Sequence, residues 1–164
     1  MNRLLFFLAL AAAVLVGWHF LSSSEESRVK ETFKAMSAAL DKNGNELHLE
    51  TLGKARRVAA LVEPGCTVEV PGKTFTLANS ASDMARQIAS FHMMAASLHV
   101  TFEDVSVTFT DKTTAETTCD FFYNGSDLGW SVRDARALEA TLRKDPDSGR
   151  WRFAHVRVVN IIEK

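Results

Sequence analysis

The first residues of the chain constrain it more than any other segment does. Between Leu4 and Leu21 no residue is charged, and His19 is the only strongly polar side chain. As a helix, a run of this length nearly spans a bilayer core, whereas the apolar region of a cleaved secretory signal is typically about 7 to 15 residues. The bulky Trp18 stands near the end of the run, where a cleavage site needs small residues. These features predict three parts: an uncleaved membrane anchor over residues 1–21, a joint over residues 22–24 and one domain over residues 25–164.

The charges that flank the run predict on which side of the membrane the domain lies. Arg3 and the free amino group precede the run, and Glu25 and Glu26 follow it. By the positive-inside rule, we expect a single-pass inner (cytoplasmic) membrane protein held through residues 4–21. Its N-terminus is expected inside, and its domain in the periplasm or exterior.

Composition excludes some classes of partner. The chain has a net charge of -1, and its 19 basic residues are scattered among 20 acidic ones, so no nucleic-acid partner is predicted. The 5 histidines do not cluster with other metal ligands, so neither a metal nor another cofactor is predicted. With 46% hydrophobic residues, the chain can bury a sizeable core.

Hydrophobic periodicity predicts an α+β domain. Apolar residues recur at helical spacing in three segments and alternate with polar residues in the segments between and after them. The predicted order is a helix that ends before Asn43, a helix from Asn45 to Val62 closed by Pro64 and Gly65, a hairpin from Cys66 to Leu77, a helix capped by Asn79 or Ser80, and four strands.

The last four strands are expected to form an antiparallel meander. A change of phase near Glu103 and Asp104 predicts a bulge in the first of them. The pair Asn124 and Gly125 predicts a hairpin turn after the second. The last strand, from Trp151 to Ile162, is apolar on both alternating faces, which is typical of a central strand covered on both sides.

This element order resembles the nuclear transport factor 2-like (SnoaL-like, cystatin-like cone) superfamily, over roughly Glu25 to Glu163. The resemblance also rests on the strand from Leu98 to Phe109, which follows the third helix directly, and on the terminal segment from Gly149 to Val156. It implies three helices packed on a strongly curved, mostly antiparallel sheet of about six strands. The open end of such a cone often holds a small apolar ligand, and many members dimerise through the sheet. The doubly apolar last strand agrees with a homodimer.

The resemblance does not by itself supply a catalytic site. Enzymes similar to ketosteroid isomerase use an aspartate base and a tyrosine-plus-acid oxyanion hole, and their oxyanion tyrosine lies on the first helix. Here that helix offers Phe33 and Met36, and the single tyrosine, Tyr123, lies at the end of a strand. The isomerase pattern is therefore not matched.

Several side chains are candidates for lining the open end of the cone. Those predicted to bind a ligand are Asp134, Arg136, His92, His155 and Met94. Asp134 and Arg136 share a strand phase with apolar residues and face the cavity, unless a bulge places them in solvent as a surface ion pair. His92 and Met94 lie near the apolar stripe of the third helix, either as ligand contacts or as core and rim residues. His155 alternates with the aromatic residues of the last strand, which predicts that it shares their face. His99 is a further candidate base.

Cys66 and Cys119 both fall on the apolar phase of strands. An oxidising compartment permits a disulfide between them, and two unpaired buried thiols fit the pattern equally well.

These observations favour a membrane-tethered, extracytoplasmic, non-catalytic module that binds a small apolar ligand or a partner protein. The alternative is a periplasmic isomerase, dehydratase or hydrolase with its site in the cone cavity. A third possibility is a secretion-system assembly component, because the inner-membrane component of type IV secretion systems joins an anchor to this fold. Polar side chains that converge in an open cone favour the enzyme, and a cone filled by aromatic side chains favours the module.

Overall fold

The computed structural model describes residues 24–44, 46–126 and 134–161. The predicted anchor lies outside these ranges. No helix within them is long and apolar enough to cross a membrane.

The described part of the chain alternates helices with strands in the predicted order, which confirms the α+β class. Its helices are α1 (24–40), α2 (His48–Ala60) and α3 (Ala81–Met94). Its strands are β1 (Val62–Val70), β2 (Lys73–Thr76), β3 (Ser97–Phe109), β4 (Thr114–Ser126), β5 (Asp134–Lys144) and β6 (Trp151–Ile161).

The six strands form one mixed sheet in the order β2-β1-β6-β5-β4-β3. Strands β3 to β6 are the predicted antiparallel meander, and β1 pairs with β6 in parallel. Strand β6 therefore lies inside the sheet, as its apolar sequence predicts, and β3 is an outermost strand. This places the helices and the sheet in the arrangement expected of the cone fold.

Local sequence signals account for the helices. Ser80 is the N-cap of α3, and its hydroxyl accepts a hydrogen bond from the backbone N–H of Asp83 at 3.1 Å. Along α1, the helically spaced Val29, Phe33 and Met36 are buried. That apolar face fastens α1 to the sheet.

Aromatic side chains fill the core between α1 and the sheet. The ring of Phe33 lies 5.3 Å from that of Phe102 on β3 and 4.9 Å from that of Phe153 on β6, with edge-to-face geometry in both pairs. Each such pair contributes about 0.5–1.5 kcal/mol beyond the burial of its surface. Helix α1 therefore packs against the first and the last strand of the meander.

The predicted end of the second helix is wrong. Helix α2 stops at Ala60, and Pro64 and Gly65 lie inside β1. The pairing of β1 with β6 shifts register between Val62 and Thr67, and Gly65 has a positive φ of 76°. The Pro-Gly pair therefore forms an irregularity within a strand rather than a helix stop.

The predicted hairpin turn at Asn124 and Gly125 is also wrong. Both residues belong to β4, where they pair with His99 and Leu98 of β3. The connection from β4 to β5 falls in residues 127–133, outside the described ranges.

The predicted bulge in β3 is confirmed. Its pairing with β4 shifts register between Glu103 and Ser106, and Asp104 has a φ of 51°. The change of phase in the sequence therefore reflects an extra residue in the strand.

The prediction that β6 is apolar on both faces is wrong, because β6 also contains a bulge. Thr141 of β5 pairs with His155, but the next residue, Leu142, pairs with Phe153, so β6 bulges between them. After the bulge Val156 packs against the core, and His155 is carried to the outer face of the sheet. The outer face is therefore polar at this point, and the predicted homodimer through the sheet loses its apolar rationale while staying a prediction.

Candidate functional site

The end of α1 and the beginning of β3 are joined by backbone hydrogen bonds. The N–H of Lys42 donates to the carbonyl of Leu98 at 2.6 Å, and the N–H of Leu98 donates to the carbonyl of Lys42 at 3.0 Å. This is an isolated antiparallel bridge. Because residues on either side of such a bridge also lie opposite each other, the chain brings Asp41 beside His99.

Asp41 and His99 form a carboxylate–imidazole pair. The Nδ1 atom of His99 lies 2.5 Å from Oδ1 of Asp41. The side chain of His99 is 50% exposed and that of Asp41 is 40% exposed, so a ligand can reach both. A carboxylate at Nδ1 favours the tautomer that carries its proton there, which leaves Nε2 free to accept a proton.

The pair lies at one end of a groove between α1 and β3, called here the α1–β3 groove. Its volume is about 1040 Å³. Besides Asp41 and His99, its lining combines the apolar Phe33, Val100 and Phe102 with the charged Glu26, Lys30, Lys34 and Asp104. Apolar side chains and a potential base thus share one open cleft, which is the usual composition of a small-molecule site.

One side-chain hydrogen bond fastens α1 beside this groove. The hydroxyl of Ser37 donates to the carbonyl of Val100 on β3. Since β3 has a strand on one side only, this bond occupies a carbonyl at the free edge of the sheet. It helps to keep the two walls of the groove together.

A buried polar cluster lies behind the groove, where α1, α2 and α3 meet. The ammonium of Lys42 donates to the carbonyl of His92 at 2.6 Å and also to the carbonyl of Ala95, both at the end of α3. The ammonium of Lys54 donates to the carbonyl of Asp41 at 2.6 Å and forms an ion pair with Glu46. Two buried lysines therefore bind helix C-termini, where carbonyl groups lack intrahelical partners.

His92 belongs to this cluster and is not at the opening of the cone. Its side chain is fully buried at 0% exposure. Within the described part of the chain, neither ring nitrogen forms a hydrogen bond, although the carbonyl of Leu40 lies nearby. Burial lowers the pKa of His92, so the neutral imidazole is favoured.

Two other predicted ligand contacts lie on the surface. Met94 is 64% exposed at the end of α3. His155 is on the outer face of the sheet, where its Nε2 lies 3.3 Å from Glu69. The predicted face for His155 is therefore wrong, and the structure does not bring it together with His92.

Asp134 and Arg136 hold regular positions in β5. They pair with Tyr123 and Phe121 of β4, with no register shift between them and Leu138 on that side. Their side chains lie outside the described part of the structure, so their predicted role in ligand binding stays a prediction.

Tyr123 ends the apolar row of β4. Its hydroxyl is buried and has no hydrogen-bond partner among the described residues. Burial raises the pKa of Tyr123. A buried hydroxyl without a partner lowers stability, because it loses its hydrogen bonds to water on folding.

The sequence indicates half of the Asp41–His99 pair. His99 is predicted as a candidate base, but Asp41 follows the last apolar turn of a helix and resembles an ordinary polar residue before a stop. The two residues are 58 positions apart. Only the bridge between Lys42 and Leu98 reveals them as neighbours.

The comparisons with known proteins concern the fold. No protein-family model matches the sequence, and no curated protein matches it. A protein provisionally assigned as a scytalone dehydratase from Novosphingobium aromaticivorans is similar in structure, with a TM-score of 0.62, 13% identity, and coverage of 87% of this chain and 89% of that chain. A protein provisionally assigned as a dehydratase of the NTF2-like family from Streptomyces avermitilis has a TM-score of 0.61, 17% identity, and coverage of 85% and 99%. A hexachlorocyclohexane dehydrochlorinase, LinA Type2, has a TM-score of 0.62, 12% identity, and coverage of 87% and 88%.

The chain has the nuclear transport factor 2-like fold. The resemblance stated from the sequence is therefore confirmed at the level of the fold. At these identities the likeness shows the fold and no activity.

Proposed function

We propose that the chain is an enzyme of the dehydratase or isomerase type, whose base, His99, removes a proton from a carbon atom of a small substrate in the α1–β3 groove. The observation that carries the proposal is the 2.5 Å contact between Asp41 and His99 at the edge of this groove. A histidine within reach of a bound substrate and oriented by a carboxylate is a common form of general base.

The two residues have separate roles in this step. Nε2 of His99 takes the proton from carbon. Asp41 holds the imidazole through Nδ1 and stabilises the imidazolium that forms. In an elimination, the electron pair of the broken C–H bond forms the double bond as a leaving group departs from the adjacent carbon. In an isomerisation, the proton returns to another carbon of the same substrate.

The structural neighbours support this reaction class over a binding module. A dehydratase and a dehydrochlorinase both eliminate a small molecule across two carbon atoms, and both names belong to chains similar in structure to this one. Proton removal from carbon is the step that such eliminations share. The proposal therefore takes the alternative predicted from the sequence and moves its site from the cone interior to the groove.

The experiment compares the chain with its His99→Asn and Asp41→Asn variants on scytalone and hexachlorocyclohexane. It also follows deuterium exchange from D2O into each compound. Loss of the base is expected to lower the rate by about 100-fold or more, the usual contribution of a general base. His155→Asn is the matched control, because His155 also faces a carboxylate, Glu69, but lies outside the groove. Full activity in His99→Asn contradicts the proposal.

The non-catalytic module keeps one supporting observation, which is the filled core. Phe33, Phe102 and Phe153 occupy the space between α1 and the sheet. If the unmodified chain neither eliminates nor exchanges protons in any of these compounds, the module becomes the better proposal. The extracytoplasmic location is a prediction under either function.

A further inference from the structure

We propose that Lys54 is a positioning residue for the Asp41–His99 pair; its catalytic importance rests on the function proposed above. Lys54 lies on α2 and is buried. Its ammonium donates to the backbone carbonyl of Asp41 at 2.6 Å. Lys54 is not among the residues that line the α1–β3 groove, so it acts on the pair through Asp41.

The carbonyl of Asp41 needs such a partner because of its place in α1. The N–H of Asp41 donates to the carbonyl of Ser37 at 3.0 Å, which completes the last turn of the helix. The carbonyl groups of that turn have no intrahelical donors. A cation at this end also interacts favourably with the helix dipole. Lys54 therefore binds the residue that carries the orienting carboxylate.

Lys54 is itself held in place. It forms an ion pair with Glu46, and their side chains are 11% and 5% exposed, respectively. A buried pair of this kind fixes both side chains, because breaking it leaves an uncompensated charge away from water. Because the ammonium of Lys54 has a fixed position, its hydrogen bond restricts the movement of the Asp41 backbone.

Asp41 is thus held from two directions. From β3, the bridge between Lys42 and Leu98 fixes the next residue of the chain. From α2, Lys54 fixes its carbonyl. The hydrogen bond between Asp41 and Nδ1 of His99 weakens steeply as its distance and angle depart from the optimum. Removing one of these two contacts therefore lowers the fraction of time for which the carboxylate binds Nδ1.

The test measures the tautomer of His99 in the full chain. Imidazole 15N shifts distinguish the form protonated at Nδ1 from the form protonated at Nε2. They are recorded over a series of pH values and compared on the alkaline plateau, where the imidazole is neutral. The signals are assigned by their loss in His99→Asn. Lys54→Met alone leaves Glu46 buried and unpaired, which endangers folding. In Glu46→Gln, by contrast, Lys54 keeps Glu50 as an ion-pair partner at 4.0 Å. The informative comparison is therefore Glu46→Gln against the double variant Glu46→Gln with Lys54→Met.

We expect the form protonated at Nε2 to rise about fivefold in the double variant relative to Glu46→Gln. This is the change in the tautomer ratio that follows from losing the net free energy of about one hydrogen bond. Lys112→Met, which removes an exposed lysine that does not line the groove, is expected to leave the ratio unchanged. An unchanged ratio in the double variant overturns the proposal. A changed ratio together with an active His99→Asn variant supports the role of Lys54 and rejects the proposed function, so the two failures are distinguishable.

Discussion

The hydroxyl of Tyr123 occupies the space where a side chain on Gly125 would begin. A Cβ atom at residue 125 would overlap that oxygen and would lie 2.8 Å from Cζ of the same ring and 3.2 Å from the carbonyl oxygen of Ser97. Two residues apart on β4, they share one face of the strand. The glycine is therefore required by packing within a strand.

We expect Gly125→Ala to lower the free energy of unfolding by about 1–3 kcal/mol, the usual cost of forcing an extra carbon into a packed site. Urea unfolding followed by tryptophan fluorescence measures the change. Gly53→Ala is the control, because a Cβ there has nothing within 4 Å and Gly53 lies inside α2. It is expected to stabilise the chain by up to about 1 kcal/mol. Equal effects of the two substitutions contradict the packing argument.

Tyr123 allows a direct test of burial at the same place. It is the single tyrosine of the chain, so the phenolate absorbance that appears as the pH is raised reports the ionisation of Tyr123 alone. Burial raises the pKa of Tyr123, so its titration is expected above the ordinary tyrosine value of about 10. In urea the same titration is expected to return to that value. Titration at the ordinary value in the folded chain contradicts burial of the hydroxyl.

The sequence predicts the elements better than it predicts their irregularities. Alternation predicts the meander and the bulge near Asp104, because one face of each strand is polar and an extra residue breaks the phase. In β6 both phases are apolar, so the bulge between Phe153 and His155 leaves no signal. The pair Asn124 and Gly125 is typical of a hairpin turn, but here the glycine lies in a strand and leaves room for the ring of Tyr123.

The candidate site is harder to predict because it depends on contacts between distant segments. His99 and Asp41 become neighbours through a single backbone bridge, and no local pattern announces such a bridge. The sequence gives no sign that Lys42 and Lys54 differ from ordinary solvent-exposed lysines. In the structure both are buried, and both donate to backbone carbonyls at helix C-termini. Periodicity reports which residues face the core, but it does not report which polar groups meet there.

The two cysteines are expected to react slowly. Cys66 and Cys119 are free and buried. Burial raises the pKa of Cys66 to about 11 and that of Cys119 to about 12, so very little thiolate forms near neutral pH. Iodoacetamide is expected to label the folded chain far more slowly than the chain in urea, by mass spectrometry. Rapid labelling of both thiols in the folded chain contradicts this placement.

His92 makes stability depend on pH. Burial lowers its pKa in the folded chain, while the unfolded chain binds a proton near the ordinary value of about 6.5. Below that value the unfolded state takes up more protons than the folded state, so the contribution of this residue to stability is lost as pH falls toward its folded-state pKa. The charged groups that act on the ring are Glu46, which opposes the shift, and Lys42 and Lys54, which reinforce it. Urea unfolding at about pH 7.5 and about pH 5 measures the loss, and His92→Leu is expected to lose less stability between them than the unmodified chain does. His48→Gln, which alters an exposed histidine of α2, is the control and is expected to keep the full dependence. An unchanged dependence in His92→Leu would assign the loss to other groups.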